Sequence, residues 1–361
     1  MSSTIALMFG GQSPEHEISV RSARNIFAAI DQSKYHVVLI GVSPSGTWHH
    51  FPLDVFQDAS FTVVKGGRQI AVVPGERFGQ LIYCDGSGQL PHVDVVFPIL
   101  HGPYGEDGTL QGILRHISLP FVGPDVLGSA VSMDKDVAKR LLREADLLTA
   151  EFFCFHYYEK EAIDYAAVVN KLGLPLFIKP ANMGSSVGVK KVENQQEFEA
   201  AVKNAFRYDH KIIVEEAVFG RELECAVMGN GEIASTGVGE VGMSAGFYDY
   251  NSKYVSADAA KVMIPAPDVD NVTLAKLVLV AKNAYRALCC EGMSRVDMFL
   301  TDDGQVYVNE INTLPGFTNI SMYPQLWQHQ GTSYPELIDA LIQLAFERGK
   351  REESLEKQGR D

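Results

Sequence analysis

The chain has 361 residues and carries 31 Lys plus Arg against 45 Asp plus Glu, a formal charge of −14 at pH 7. A surface this acidic repels a phosphate backbone, which argues against a nucleic-acid partner, and no apolar run approaches the length of a membrane span. Hydrophobic residues at 46% and charged residues at 21% are ordinary for a globular chain of two or three domains. A phosphate-bearing ligand must then be gripped locally, by placed lysines, backbone N–H groups or a metal ion.

Five cysteines, Cys84, Cys154, Cys225, Cys289 and Cys290, form no Cys-x-x-Cys pair and read as free thiols of a reducing compartment. The N-terminus lacks the basic start of a signal peptide and its apolar run is strand length, so a cytoplasmic location is expected.

Strand-like runs at 5–9, 36–42 and 93–100 alternate with Val20, Ala23, Phe27 and Ile30 at helical spacing, which predicts an α/β unit with a parallel sheet. Residues 119–123 add a last short strand before Pro124, the first boundary. Functional loops in such sheets gather at strand carboxyl ends, here the polar, glycine-rich stretches 10–17 and 101–108. The middle segment predicts helices over 134–145 and 162–172, a strand at 176–179 and a glycine-rich loop at 182–188. A strand at 189–192, a helix at 196–206 and a strand at 211–215 complete a small α+β unit whose hairpin tip can close. A second boundary falls at 217–220. The last third is mostly strand-like to Leu314, with a long ordered loop over 239–258, helices over 271–288 and 334–348, and a charged tail from Gly349 that should fray.

Gly10-Gly11 after the first strand lacks the third glycine of a dinucleotide fingerprint and reads first as a tight turn. Glu17, beside Glu15 and His16 at a helix start, could meet a ligand's ammonium group or merely complement the helix dipole. Gly184-Ser185-Ser186-Val187-Gly188 is no Walker sequence. Lys179 before it and Lys139 in a helix of the same unit could still supply point charges to a polyphosphate, the alternative being a flexible tip with solvated lysines.

The strongest physical signal is the hairpin Ser294 to Asn312. A two-residue turn at Asp303-Gly304 sets Asp302 opposite Gln305, Asp297 opposite Glu310 and Arg295 opposite Asn312, all four of the latter on one face. Facing carboxylates repel unless a cation sits between them or one takes a proton, and two carboxylates with an amide suit Mg²⁺ or Mn²⁺. A three-residue turn would shift the register and separate them. Beyond the hairpin, Gly316 could present its N–H to a ligand oxygen. Glu215 and Glu216 end a strand at an interdomain crossing that could seat a purine, with Glu222 on ribose hydroxyls.

Together these segments resemble the D-alanine:D-alanine ligases of the ATP-grasp superfamily, from Ile5 to about Arg348. The resemblance rests on Gly10-Gly11 with Glu15-His16-Glu17-Ile18-Ser19, His101-Gly102 with Gly105-Glu106-Asp107-Gly108, Met133-Asp134-Lys135 with Lys139, and Lys179 with the 184–188 loop. It continues through Phe247-Tyr248-Asp249-Tyr250 with Lys253-Tyr254, Arg295-Val296-Asp297, and Asn309-Glu310-Ile311-Asn312-Thr313 with Pro315-Gly316. It implies an α/β and α+β, three-domain ATP-grasp architecture with an N-terminal parallel-sheet α/β domain. The domains would be 1–124 for substrate binding, 125–217 as the central lid and 218–361 as the catalytic domain.

The implied reaction is attack of one D-alanine carboxylate on the γ-phosphorus of ATP, then attack of a second D-alanine amine on the acyl phosphate. By the resemblance, Asp297, Glu310 and Asn312 would hold two Mg²⁺ or Mn²⁺ ions, Lys139 and Lys179 the inner phosphates and Lys253 the γ-phosphate. Glu215, Glu216, Val218, Glu222, Phe299 and Asn309 would line the nucleotide site with Ser185 and Ser186. Glu17 would pair with the first substrate's ammonium, with His101 nearby, and Ser321 with Met322 would take the second substrate's carboxylate. Arg295 and the Gly316 N–H would form the oxyanion site, and a contact of Ser185, Glu17 and Tyr254 would join the closing loops. The expected partners are two D-alanine molecules and ATP, in a homodimer, without nucleic acid or membrane. D-lactate or D-serine as second substrate, a non-catalytic nucleotide-binding regulator and an NAD-dependent oxidoreductase are the competing readings.

Overall fold

The computed structural model describes residues 2–58, 60–63, 65–75, 80–243 and 260–355. Strand β1 (Ser3–Gly10) is apolar on both faces and buried from Ile5 onward, as a strand covered on two sides must be. It pairs in parallel with β2 (Tyr35–Val42) and β6 (Val95–Pro98). Beyond β2 the sheet continues antiparallel through β3 (Trp48–Phe51), β4 (Arg68–Val72) and β5 (Leu81–Tyr83). The expected parallel pairing holds at the three strands β2, β1 and β6. The connection at 43–47 is too short for the crossover that another parallel strand would need. Residues 119–123 make a single bridge, Val96 to Phe121, rather than a strand.

Ile5, Leu7 and Phe9 share a core with α1 (His16–Ala29), while Ala6 and Met8 share another with α3 (Thr109–His116). The short α2 (Leu53–Gln57) adds Phe56 to the α1 side. Two helices, α4 (Val126–Met133) and α5 (Lys135–Glu144), lead out of this unit, with the Asp134 side chain capping α5 by accepting the Val137 N–H.

The middle sheet is antiparallel in the order β7-β10-β8-β9, from β7 (Phe152–His156), β8 (Leu176–Pro180), β9 (Lys190–Val192) and β10 (Lys211–Glu216). A 3-10 turn (Tyr157–Ala162) precedes α6 (Tyr165–Leu172), and α7 (Gln195–Ala205) joins β9 to β10. Leu176, Ile178, Ile212 and Val214 pack on these helices, so strand alternation sends Phe177, Lys179 and Glu215 to the opposite face.

The last sheet runs β13-β12-β11-β14-β15, from β11 (Arg221–Gly229), β12 (Ala234–Met243), β13 (Ala260–Met263), β14 (Gly292–Leu300) and β15 (Val306–Asn312). Of the expected loop over 239–258, residues 239–243 belong to β12 and the remainder lies outside the described residues. Helix α8 (Asn271–Ala287) covers one face through Leu277, Ala281, Ala284 and Tyr285. Two further helices follow, α9 (Met322–His329) and α10 (Tyr334–Glu353), and both join the core of the first sheet. The tail expected to fray from Gly349 is helical to Glu353, tied by an Arg351 to Glu291 ion pair at 2.6 Å.

The hairpin of β14 and β15 corrects one expectation in a way that preserves another. The turn is three residues, 302–304, with the Thr301 N–H donating to the Gln305 carbonyl and Gly304 left-handed at φ 78°. Thr301, not Asp302, therefore lies opposite Gln305, and alone this would have moved Glu310 away from Asp297. A bulge at Asn309 absorbs the extra residue: Met298 pairs with Val308, and Asp297 still pairs with Glu310 and Arg295 with Asn312.

Candidate active site

A cavity of about 560 Å³ opens between the middle and last sheets, within the size range of cofactor pockets. Lys139, Lys179, Ser186, Glu215, Glu216, Val218, Glu222, Phe299, Asn309 and Glu310 all line it; Ser185 does not. Ser185 and Ser186 are both left-handed, at φ 50° and 56°, a conformation costing L-residues about 1–2 kcal/mol each that concentrates at functional loops. Lys135, a lining residue the sequence reading left without a role, donates to the Met183 carbonyl at 2.7 Å and lies 3.8 Å from Glu310.

Lys139 is 2% exposed and sits 3.0 Å from Glu215, which also pairs with Lys179. Burial alone would raise the Glu215 carboxyl, but the two ammonium groups outweigh it and hold it at about 2. Burial lowers Lys139 despite Glu215, whereas Glu215 and the more distant Glu310 and Glu222 outweigh burial at Lys179 and raise it. Two cations thus share one anion at the cavity wall, leaving net positive charge for a phosphate.

Beside the cavity, Arg295 holds Asp297 through two hydrogen bonds of 2.7 Å, and Asn312 donates to Asp297 Oδ2 at 2.9 Å. Glu224, which the sequence reading missed, stands opposite Asp297 on β11 and meets Arg295 at 3.0 Å. Its signal was alternation from Glu222, which puts both acids on the Asp297 face. Among the described residues no three His, Cys, Asp or Glu side chains gather as a metal cage. The donor set Asp297, Glu310 and Asn312 is nonetheless all hard oxygen, and suits a Mg²⁺-type ion completed by phosphate oxygens and water.

On the side of the first sheet, Glu17, expected to meet the first substrate's ammonium, is exposed on α1 and is not among the residues lining the cavity. Glu15 is buried instead: its Oε2 lies 3.4 Å from where a Cβ on Gly102 would stand and 3.6 Å from one on Gly184. The 184–188 loop thus comes close to Glu15 at Gly184, while Tyr254, the other member of the expected loop contact, lies outside the described residues. His101 is buried, which lowers its pKa and keeps it neutral; Nδ1 donates to the Leu314 carbonyl at 2.9 Å, and Nε2 has no partner among the described residues. Burial pushes the nearby Glu106 carboxyl up to about 7.

Gly316 and Ser321 are neighbours, since a Cβ on Gly316 would stand 2.8 Å from Ser321 Oγ. Ser321 precedes α9 without capping it; its Oγ meets Thr318 N–H and Oγ1 at 2.9 and 2.8 Å. The Met322 side chain is buried against Gly239. Lys253 and Tyr254, with 247–250, lie outside the described residues. Cys84, Cys154, Cys225, Cys289 and Cys290 are free thiols. No helix among the described residues is long and apolar enough to cross a membrane.

Comparison with known proteins points to one family over nearly the whole chain. Residues 4–124 match the family described as D-ala D-ala ligase N-terminus and residues 141–343 that described as D-ala D-ala ligase C-terminus. The D-alanine-D-alanine ligase A of Chromobacterium violaceum is 52% identical over 358 residues, covering 98% of each chain. The solved D-alanine-D-alanine ligase of Coxiella burnetii superposes with a TM-score of 0.85 at 35% identity, over 98% of this chain and 97% of that one. The VanG D-Ala:D-Ser ligase of Enterococcus faecalis gives 0.85 at 38%, over 96% and 100%.

Proposed function

The chain belongs to the D-alanine:D-alanine ligase family, and on that premise we propose that its residues join two D-alanine molecules at the expense of ATP, for peptidoglycan synthesis, through an acyl phosphate. The observation that carries the assignment of roles is the shared face of Arg295, Asp297, Glu310 and Asn312 beside a cavity with the Lys139–Glu215–Lys179 cluster in its wall.

ATP lies in that cavity, its inner phosphates on Lys139 and Lys179, its base beside Glu216, Val218 and Phe299, and its ribose at Glu222. Asp297, Glu310 and Asn312 would hold Mg²⁺ or Mn²⁺, whose charge would offset that developing on the transferring phosphoryl group. The first D-alanine places its ammonium on Glu15, in the role expected of Glu17, beside His101 Nε2. Its carboxylate oxygen attacks the γ-phosphorus and ADP leaves. The second D-alanine, its carboxylate at Ser321 and the start of α9, loses a proton from its ammonium and attacks the acyl carbon. Arg295 and the Gly316 N–H take the negative oxygen of the tetrahedral intermediate, which collapses to the amide and phosphate. Lys253 and Tyr254 keep their proposed roles on the γ-phosphate and in loop closure. The likeness to the VanG D-Ala:D-Ser ligase keeps D-serine as a second reading for the incoming nucleophile.

The test is product mass and phosphate release with ATP, Mg²⁺ and D-alanine. D-alanyl-D-alanine should form, and Asp297→Asn should abolish it. Equal phosphate release with L-alanine would sink the substrate assignment, and preferential D-alanyl-D-serine from mixed substrates would replace it.

A further inference from the structure

Side chains of the first unit hold the backbone on both sides of Gly316. Glu106 Oε1 accepts the Leu314 N–H at 2.9 Å, while His101 Nδ1 donates to the Leu314 carbonyl at 2.9 Å. Beyond Gly316, Ser22 Oγ accepts the Phe317 N–H at 3.1 Å and Asn25 Nδ2 donates to the Phe317 carbonyl at 3.0 Å, which Tyr334 also reaches at 2.6 Å. Pro315 has no N–H, so among the described residues the N–H of Gly316 is the one in 314–317 without a partner.

The arrangement is specific in its planes. The Leu314 carbonyl belongs to the peptide before Pro315-Gly316 and the Phe317 N–H to the peptide after it. Clamping both neighbours, with the Pro315 ring fixing its own φ, holds the peptide carrying the Gly316 N–H in place and leaves ψ of Pro315 and φ of Gly316 as the torsions that aim it. The holders are themselves fixed. Ser22 is wholly buried, Ser22 and Asn25 lie three apart on one helix face, and the second oxygen of Glu106 accepts the Gly102 N–H at 2.7 Å.

Resting on the ligase reading above, we propose that Ser22, Asn25 and Glu106, together with His101, are positioning residues that fix the Gly316 N–H where negative charge develops on the acyl oxygen. A preorganised donor counts for most where it needs no reorganisation during reaction, and the tetrahedral oxyanion arises only in the second step. Loosening the clamp should therefore slow amide formation more than acyl phosphate formation.

Two isosteric changes probe the clamp from its two sides. Asn25→Asp removes the donor to Phe317, and Glu106→Gln leaves one acceptor where two N–H groups need it. In each, kcat for D-alanyl-D-alanine should fall about 10- to 100-fold, as small misplacement does. The KM for ATP should stay within about twofold, and positional isotope exchange in ATP, which reports reversible acyl phosphate formation, should persist near the wild-type rate. If either folded variant keeps kcat within about threefold, or loses isotope exchange in step with turnover, the clamp is structural only and the proposal fails. Thermal melts identify a variant that does not fold, and its counterpart on the other side of Gly316 then decides. Wild-type enzyme making no dipeptide would sink the ligase reading instead, a separate result.

Discussion

Glu15 and Glu17 differ by two positions, and the helical period buries one and exposes the other. Ile18, Ser19, Ser22, Ile26 and Phe27 form the buried stripe of α1, and Glu15 lies on its extension; Glu17, Arg21 and Ala28 are exposed. The signal was present in the sequence, where polar Ser19 and Ser22 obscured the buried side. Glu15→Gln should raise the KM for D-alanine about tenfold or more, the scale of a hydrogen bond to a charged group, with Glu17→Gln as a silent control in steady-state kinetics. A second residue-scale prediction concerns Glu215. Its pKa falls from the usual 4.5 to about 2, so its contribution of about 3 kcal/mol is complete above pH 4.5, where folded and unfolded chains are both ionised. As pH drops from 4.5 toward 2 the unfolded chain takes the proton first, and that stability is lost. Urea denaturation from about pH 5 to about pH 3 should show this slope in the wild type and a flatter one in Glu215→Gln, which should also be less stable by about 3–5 kcal/mol for leaving Lys139 buried beside a neutral amide.

At the scale of elements, the hairpin shows what local sequence rules can and cannot supply. Asp303-Gly304 suggested a two-residue turn, yet the three-residue turn uses the same glycine, so turn chemistry alone did not separate the two. The break in period was legible: Val306 and Val308 face the core and then Ile311, not residue 310, does. Only a bulge reconciles these, and its effect is to keep Glu310 opposite Asp297 despite the longer turn, with Asn309 beside it at the cavity wall. Deleting Asn309 should let β15 pair regularly, with Asp297 still opposite Glu310 and Ile311 still buried. The expected result is a chain whose melting temperature changes little but whose nucleotide Kd weakens about tenfold, the worth of one lost hydrogen bond, by isothermal titration. A collapse of the fold would mean that the bulge also stabilises the sheet. The strands β3 to β5 were less legible, because their stretch lacks the alternation and spacing that marked β1, α1 and β2.

At the scale of the whole molecule, the order of segments along the chain was readable, but the packing that joins its two ends was not. Helices α9 and α10 follow the last sheet in sequence yet complete the core of the first, through contacts between residues some three hundred positions apart such as Tyr35 to Asp339 at 2.6 Å. Such contacts leave no periodic trace. Arg348 is the polar fastening of this closure: 4% exposed, it donates to the Gly123 carbonyl at 2.6 Å and to the Phe121 carbonyl at 2.5 Å, with its guanidinium 4.3 Å from the Phe121 ring centre. Arg348→Met keeps much of the volume but leaves two buried carbonyls without donors, an expected loss of about 2–4 kcal/mol in urea denaturation. Because Gly123 also packs against Leu314, the same variant separates two consequences of the closure. Lost stability with KM and kcat retained in the folded fraction places Arg348 in the packing of the two ends. A fall in kcat with stability intact would instead place it in the support of the 314–317 loop.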